Sequence, residues 1–356
     1  MLSRRPSLAR FLCWALLSVC GAWGLLPQAW AGSADEDWAS MVAMDAGPQI
    51  LSRTADEARA AAVMHLDKQE LALRGFLGQH AEDRHAFEAR LRLARLLQIR
   101  GDVQGNLKAV EEGRLLLEQL AVGASPEQRT EVDFAKLTLC MRTMRGSTPE
   151  SRERLLEMTR LFQKTHPSDR RIAATLAEVA TLFGLKPKTM RALLMESERL
   201  TSDPQLRGRV ADDLKRLDLL GHPVALSFTT LDGKPFDVVS YRGKVVWVLF
   251  FARWSQPSLD ALDTLKNSLA AFPPDSVRVV ALSLDVKTEA LLAFLKEKAV
   301  NWPVGCDAKG WESPLIRSFG INSLPTAWLL DKQGVLRSLN VLESTQSQTR
   351  QLLEGR

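Results

Sequence analysis

The stretch from Lys244 to Ser258 is KVVWVLFFARWSQPS. Its first part, Val245 to Phe251, is an unbroken apolar run rich in β-branched and aromatic residues, which is typical of a central strand covered on both faces. A tight Ser255-Gln256-Pro257-Ser258 corner follows, and the amphipathic sequence LDALDTLKNSLAAF comes directly after it. We therefore predict a buried strand that runs through this corner into a helix.

The rest of the C-terminal region alternates predicted strands and helices around this unit. Val224–Thr230 and Phe236–Val239 predict a hairpin, because the Asp-Gly pair at 232–233 is a strong turn signal. Val277–Leu284 predicts a second buried strand, and the segment 323–330 (SLPTAWLL) predicts a proline loop followed by another strand. Strands that alternate with helices indicate an α/β sandwich.

These landmarks resemble the thioredoxin superfamily, in particular the envelope-located, AhpC/TSA-related TlpA/ResA branch. The resemblance covers residues 221–356 and rests on landmarks in order along this region. They include the entry hairpin, Arg242-Gly243-Lys244, the unit of strand, Trp254, corner and helix, and the segment 323–330, which is similar to the family's cis-proline loop. The resemblance implies a thioredoxin fold for this region and a cis peptide bond before Pro325.

The resemblance also implies a Cys-x-x-Cys motif at the corner, where this chain has Ser255 and Ser258. In active members the helix N-terminus stabilises the thiolate of the first cysteine, and the second cysteine resolves the mixed disulfide. A serine hydroxyl is far less acidic and forms no disulfide. We therefore predict no catalytic residue and interpret both serines as degenerate active-site positions. We expect Ser255 to cap the following helix, with Pro257 in its first turn.

A groove for extended polypeptide is implied beside the proline loop, because this loop pairs with the substrate backbone in the family. We expect six residues around the two loops to form the binding site: Trp254, Gln256, Pro257, Leu324, Pro325 and Thr326. The alternative, that Pro325 only preserves the fold, stays open at this point.

Two cysteines remain outside the N-terminal 31 residues. Cys140 lies among apolar residues of a helical segment and is expected to be buried. Cys306 is the single thiol of residues 221–356 and is the candidate redox thiol. A serine hydrolase is disfavoured, because His222 is the single histidine of this region and no Gly-x-Ser-x-Gly motif occurs.

Residues 55–220 show helical periodicity throughout, with Gly101-Asp102 expected to break one helix. Helix pairs at about forty-residue spacing favour a tetratricopeptide-like repeat, and a plain bundle is the alternative. Residues 32–54 show no clear periodicity and are interpreted as a leader. The predicted helices are Ala86–Ile99, Leu107–Leu120, Thr130–Met144, Ser151–Phe162, Arg170–Leu182 and Thr189–Leu200.

The histidines of the helical region do not form a metal-like pattern. His80 and His85 are five residues apart, a spacing that does not place two side chains on one helical face. We expect these residues, together with His65 and His166, to be solvated at loops or helix ends. The sequence predicts no metal site and no cofactor.

Residues 1–31 have the organisation of a secretory signal. Basic residues precede an apolar run at Phe11–Leu26, and Ala29-Trp30-Ala31 supplies a small-x-small cleavage pattern. We predict cleavage after Ala31, export to the periplasm and no membrane span in the mature chain. An uncleaved anchor and a lipoprotein site at Cys20 are the alternatives. Cleavage removes the three arginines of the signal and lowers the net charge from +5 to +2. A charge of this size is too small to indicate a nucleic-acid partner.

These observations favour an exported, non-catalytic thioredoxin-fold protein. It would act as a polypeptide-binding or scaffolding module in the cell envelope, with an extended polypeptide or an envelope protein as partner. The alternative is a thiol-disulfide oxidoreductase of the TlpA type, or a peroxide-related enzyme, that works through Cys306 or Cys140. A third hypothesis is a purely structural role in an envelope complex.

Overall fold

The computed structural model describes residues 33–47, 55–143, 148–184 and 186–355. The described chain is helical up to Leu219 and then forms a mixed sheet with helices, so the predicted α plus α/β class is confirmed. It divides into two compact units between Pro167 and Ser168. The predicted signal and its cleavage after Ala31 lie outside the described residues. In the described part of the chain, no helix has the length and apolarity that a membrane span requires.

The first compact unit is built from helices alone. Its predicted repeat organisation stays a prediction, with the bundle as its alternative. The helices are α1 (Ala34–Ala43), α2 (Ala55–Gln79), α3 (Ala86–Gln104), α4 (Leu107–Val122), α5 (Pro126–Thr143) and α6 (Pro149–Thr165).

One expectation for this unit is wrong. Helix α3 does not break at Gly101 but continues to Gln104, and Gly105 follows at the C-cap, where φ is +66°. A Cβ at Gly101 would lie 2.1 Å from Val110 Cγ2, so glycine there allows α4 to pack closely against α3. Part of the predicted leader is helical: α1 begins with a capping box in which Ser33 and Glu36 exchange side-chain to backbone hydrogen bonds.

The histidines of this unit are not simply solvated. His80 Nε2 lies 3.0 Å from Asp37 Oδ2, and the His85 ring stacks on Trp38 with 4.6 Å between ring centroids. The ring of His166 is hydrogen bonded to carboxylate and hydroxyl groups of α5. These partners come from other helices, which is why helical periodicity alone does not reveal them.

The second compact unit contains three further helices before its sheet. The predicted change to β structure at residue 221 follows the end of the last one, and residue 221 as a domain boundary stays a prediction. The helices are α7 (Arg171–Thr181), α8 (Pro187–Leu200) and α9 (Pro204–Leu219).

Five strands form the main sheet in the order β5-β4-β3-β6-β7, and the predicted hairpin is confirmed as the separate antiparallel pair β1-β2. The strands are β1 (Ser227–Thr229), β2 (Pro235–Asp237), β3 (Val245–Phe251), β4 (Val277–Ser283), β5 (Val304–Gly305), β6 (Thr326–Leu330) and β7 (Leu336–Ser338). The helices are α10 (Gln256–Leu269), α11 (Thr288–Glu297), α12 (Pro314–Ser318) and α13 (Thr345–Leu353).

Strand β3 lies at the centre of this sheet, parallel to β4 and antiparallel to β6. All seven of its residues are buried, as the apolar run predicts. Alternate residues enter separate apolar clusters on the two faces, with Val248 on one face and Trp247 on the other. The indole N–H of Trp247 donates to Thr349 Oγ1 of α13 at 3.0 Å, which ties the last helix to the central strand.

Candidate functional site

The corner after β3 is formed as the sequence predicts. Strand β3 ends at Phe251, and α10 begins at Gln256 with Pro257 in its first turn. Ser255 occupies the position immediately before the helix, with φ −108° and ψ 106°. Its carbonyl accepts the backbone N–H of Ser258 at 2.9 Å, which closes the corner.

The predicted capping role of the Ser255 side chain is wrong. Its hydroxyl makes no capping hydrogen bond, although the residue has the correct position and extended backbone for one. The residue is 6% exposed, and Ser258 is completely buried. Neither hydroxyl has a hydrogen-bond partner among the described residues. Within the described residues, the corner therefore buries two polar groups without a compensating hydrogen bond.

The proline loop lies at the same edge of the sheet as the corner. The Leu324-Pro325 peptide bond is cis, as the resemblance implies. Thr326, the first residue of β6, pairs with Phe250 near the end of β3, so the loop reaches the sheet where the corner leaves it. The Thr326 hydroxyl donates to the Ser323 carbonyl at 2.9 Å and closes the loop on itself.

The predicted binding residues differ in exposure. Trp254 is 52% exposed, and the side chains of Gln256 and Pro257 are also exposed. Pro325 and Thr326 are half-buried, whereas Leu324 is buried in the core beneath the loop. Leu324 can therefore contribute its backbone to a bound chain but not its side chain. The exposed part of this set is therefore the Trp254 indole together with the side chains of Gln256 and Pro257.

A buried carboxylate that the sequence interpretation missed supports the corner. Asp285 follows the end of β4 and is 3% exposed. Its Oδ2 accepts the Arg253 backbone N–H at 2.9 Å and the Ser283 hydroxyl at 2.8 Å. The Ser-x-Asp sequence at the end of a buried strand is the available signal, because polar residues at the carboxyl ends of parallel strands meet at one edge.

The Cys306 thiol is part of the same cluster. It is half-buried and donates to the Asp285 backbone carbonyl at 3.1 Å. Burial raises the pKa of this thiol, and the carboxylates of Asp285 and Asp307 raise it further, while contacts with Ala308 and Ser283 act in the opposite direction. The raised pKa keeps the sulfur protonated at neutral pH, which is unfavourable for thiol chemistry.

Cys140 belongs to the first compact unit and is buried, as predicted. Burial raises the pKa of its thiol, against a smaller lowering by Arg154. Neither Cys140 nor Cys306 forms a disulfide within the described residues. In the described part of the chain, no group of three or more histidine, cysteine, aspartate or glutamate side chains is placed to hold a metal ion.

Helix α9 holds the segment that leads into the proline loop. Lys215 Nζ donates to the Arg317 carbonyl at 3.0 Å, and Arg216 donates to the Gly320 carbonyl and to Asp213. The side chains of Arg216 and Asp213 are only 11% and 12% exposed, so this ion pair is nearly buried. Helix α9, which precedes the strand-and-helix alternation, therefore positions the segment that leads into the proline loop.

Residues 220–339 match the model of the AhpC/TSA family. The C-terminal region carries an AhpC/TSA domain. The match spans about a third of the chain and includes the corner, Asp285, Cys306 and Pro325. Together with the mixed sheet and the cis proline, it confirms the thioredoxin-like fold predicted for this region.

Curated relatives of this domain are thiol-disulfide oxidoreductases by name. ResA of Bacillus thuringiensis subsp. konkukian is 29% identical over 126 residues, which cover 35% of this chain and 69% of the relative. The sporulation thiol-disulfide oxidoreductase A of Bacillus subtilis is 23% identical over 135 residues, with coverages of 37% and 79%.

Solved structures with similar names also align with this domain. A thiol-disulfide oxidoreductase from Bacteroides fragilis has 22% identity and a TM-score of 0.32, covering 36% of this chain and 98% of its own. A thiol:disulfide interchange protein of the thioredoxin family from Chlorobium tepidum has 23% identity and a TM-score of 0.31, with coverages of 37% and 94%.

Proposed function

We propose that this protein is an exported, non-catalytic member of the thioredoxin-like group that binds extended polypeptide in the cell envelope. The observation that carries the proposal is the corner, where Ser255 and Ser258 are buried with unpartnered hydroxyls beside a cis proline. Disulfide exchange needs a thiolate and a second sulfur, and neither serine supplies one. What remains at this edge is a surface suited to holding a chain.

The burial of the two serines supports their interpretation as former cysteines. A cysteine is a small, largely apolar side chain that needs no strong hydrogen bond when buried. A buried hydroxyl without a partner costs about 1–3 kcal/mol. Both positions therefore suit sulfur better than oxygen, which agrees with the names of the curated relatives.

The binding part of the proposal rests on the residues at the proline-loop edge. Trp254 offers an exposed aromatic surface, and the cis Leu324-Pro325 peptide shapes the adjacent backbone. Export and periplasmic location follow from the signal-like residues 1–31 and belong to the proposal. The helical region would present a scaffolding surface, as helical arrays do in other proteins.

A second candidate is a thiol-disulfide oxidoreductase or a peroxide-related enzyme that works through Cys306 or Cys140. The names of the curated relatives favour it. The raised pKa of both thiols argues against it, because each sulfur is held in the unreactive protonated form.

Binding of an unfolded polypeptide tests the proposed function. The probe is a reduced, carboxymethylated and fluorescently labelled chain, which has no thiol to exchange, and anisotropy gives its Kd. We expect Trp254→Ala and Pro325→Ala to raise the Kd at least threefold. Leu292→Ala removes an exposed apolar side chain from α11 and serves as the matched control with an unchanged Kd. Equal affinity of all four proteins would overturn the assignment of the groove.

A further inference from the structure

The main sheet has an unpaired edge along the first part of β4, which the short strand β5 does not cover. Strand β5 contains two residues, and its pairing with β4 is limited to Ala281 and Leu282. The outer side of Val277–Val280 therefore has no strand partner within the described residues. An unpaired strand edge presents a row of backbone donors and acceptors that can bind another chain.

The alternation along β4 determines which peptide groups face outward. Ser276 O accepts the Val245 N–H at 3.0 Å, so Ser276 faces β3, whereas the Ala281 N–H donates to Pro303 O on the other side. Because neighbouring residues of a strand face opposite sides, Val277 and Val279 direct their N–H and C=O groups to the open edge. These four groups have the spacing of an extended backbone.

A cavity of about 350 Å³ lies along this edge and has a different lining on each face of the sheet. On one face, Leu269 and Trp302 pack in the same apolar cluster as Val277 and Val279. The Trp302 indole N–H is buried without an acceptor among the described residues. On the other face, the Arg278 guanidinium lies over the Tyr241 ring at 5.9 Å.

We propose that this edge binds an extended segment of a partner polypeptide by strand addition, with the pattern apolar-acidic-apolar. Side chains of an added antiparallel strand lie on the same face as the residues they oppose. The residues opposite Val277 and Val279 would enter the apolar side beside Leu269 and Trp302. The residue between them would lie opposite Arg278, where a carboxylate pairs with the guanidinium.

The positive charge of Arg278 favours a partner segment over a second copy of this chain as the occupant of the edge. In a symmetric antiparallel pair centred on Arg278, Val277 of each copy would oppose Val279 of the other. The two Arg278 residues would then lie directly opposite each other, with Cα atoms about 4.5 Å apart. Like charges in that position are destabilising. Asp275 pairs with Arg278, but its side chain is 69% exposed, so an incoming carboxylate competes with a solvated group.

This edge is separate from the groove at the proline loop. Val277 and Val279 belong to the first half of β4, and the corner residues follow the end of the parallel strand β3. The two sites therefore lie toward opposite ends of the sheet, and each is testable with variants of the other as controls.

The test compares two labelled octapeptides, one with a central Val-Glu-Val and one with Val-Lys-Val between identical serine and threonine flanks. We expect the glutamate peptide to bind the protein at least tenfold more tightly, and Arg278→Glu to reverse this preference. Lys287→Glu makes the same charge change at another exposed position and should leave the preference unchanged. Equal affinity for both peptides, or a preference that Arg278→Glu does not alter, would overturn the proposal.

Amide hydrogen exchange locates the bound peptide. We expect exchange at Val277 and Val279 to slow at least tenfold with the glutamate peptide, and Val279→Pro, which removes an outward N–H, to abolish binding. Trp254→Ala and Pro325→Ala should leave this binding unchanged, and a loss in either variant would place the peptide in the groove instead. Protection of Val277 and Val279 in a dimer of the free protein would identify a second copy as the occupant and overturn the proposal.

Discussion

The side-chain amide of Asn322 donates to Asp213, with 2.9 Å between Nδ2 and Oδ1. This bond joins the segment just before cis Pro325 to helix α9. Asn322 also donates to the Arg209 carbonyl at 3.2 Å, and the same Asp213 carboxylate accepts from Arg216. The helix therefore fixes the approach to the proline loop through bonds between residues more than a hundred positions apart.

Removing the Asp213 carboxylate should destabilise the protein markedly. In Asp213→Ala, the nearly buried Arg216 loses its ionic partner, and we expect the free energy of unfolding in urea to fall by about 3 kcal/mol. Asp218→Ala is the matched control on the same helix, because the Arg191–Asp218 pair is exposed and contributes less than about 0.5 kcal/mol. Equal losses in both variants would show that α9 does not brace this loop.

Gly320 should be intolerant of any side chain. Its φ is +65°, and a Cβ there would lie 2.6 Å from the Asp212 backbone oxygen of α9. We expect Gly320→Ala to lower the free energy of unfolding by about 3 kcal/mol, from backbone strain and this contact together. Gly233→Ala has a similar φ of +80° but free space around the Cβ, so its cost should be about 1 kcal/mol. Similar costs for both would exclude the close approach of α9.

The unpartnered hydroxyl of Ser258 should reduce stability. Because the oxygen is buried without a hydrogen bond, Ser258→Ala removes an uncompensated polar group and should raise the free energy of unfolding by about 1 kcal/mol. Thr349→Ala is the contrasting control, since it leaves the buried Trp247 indole N–H without its acceptor and should cost about 2 kcal/mol. A loss of stability in Ser258→Ala would mean that its hydroxyl is bonded in solution.

The Cys306 thiol should be unreactive at neutral pH. Its pKa is raised by burial and by nearby carboxylates, so a smaller fraction is thiolate at pH 7 than in an ordinary exposed thiol. In a Cys140→Ala background, alkylation by iodoacetamide should be slower than in the urea-unfolded chain and should accelerate at a higher pH than it does there. Equal rates for folded and unfolded protein at pH 8 would contradict the raised pKa.

The raised pKa of Cys306 also predicts how the stability of the protein depends on pH. A group whose pKa is raised on folding contributes stability below its unfolded pKa, and that contribution disappears as the pH rises through the folded value. Stability should therefore decline above about pH 8.5, the ordinary thiol pKa. Cys306→Ala should show a smaller decline in urea unfolding measured between pH 8 and pH 10. An identical decline in both proteins would rule out Cys306 as its source.

The sequence predicts the central part of the fold because the signals there are local. The apolar run of β3, the Asp-Gly hairpin turn and the proline loop before β6 each lie within a few residues. Helix α1 is equally predictable from the sequence, because Ser33 and Glu36 form a recognisable capping box. The helix break expected at Gly101 is wrong, because this glycine allows α4 to pack closely and does not end a helix.

The candidate site was predictable only in part. The resemblance brought Trp254, Pro257 and Pro325 to one edge of the sheet, where the structure has them. The missing hydrogen bonds of Ser255 depend on what surrounds the corner, and no local pattern encodes that environment. The bonds from α9 to Asn322 likewise depend on tertiary contacts between distant segments.

The most direct test of the proposed loss of catalysis compares the disulfide-reductase turnover of the protein with that of its Ser255→Cys/Ser258→Cys double variant. We expect turnover in the variant and only background in the unmodified protein, because the fold places position 255 at the helix N-terminus, where a thiolate would be stabilised, and the variant supplies the two sulfur atoms. Turnover by the unmodified protein that disappears in Cys306→Ser would contradict the proposal and identify a working thiol enzyme.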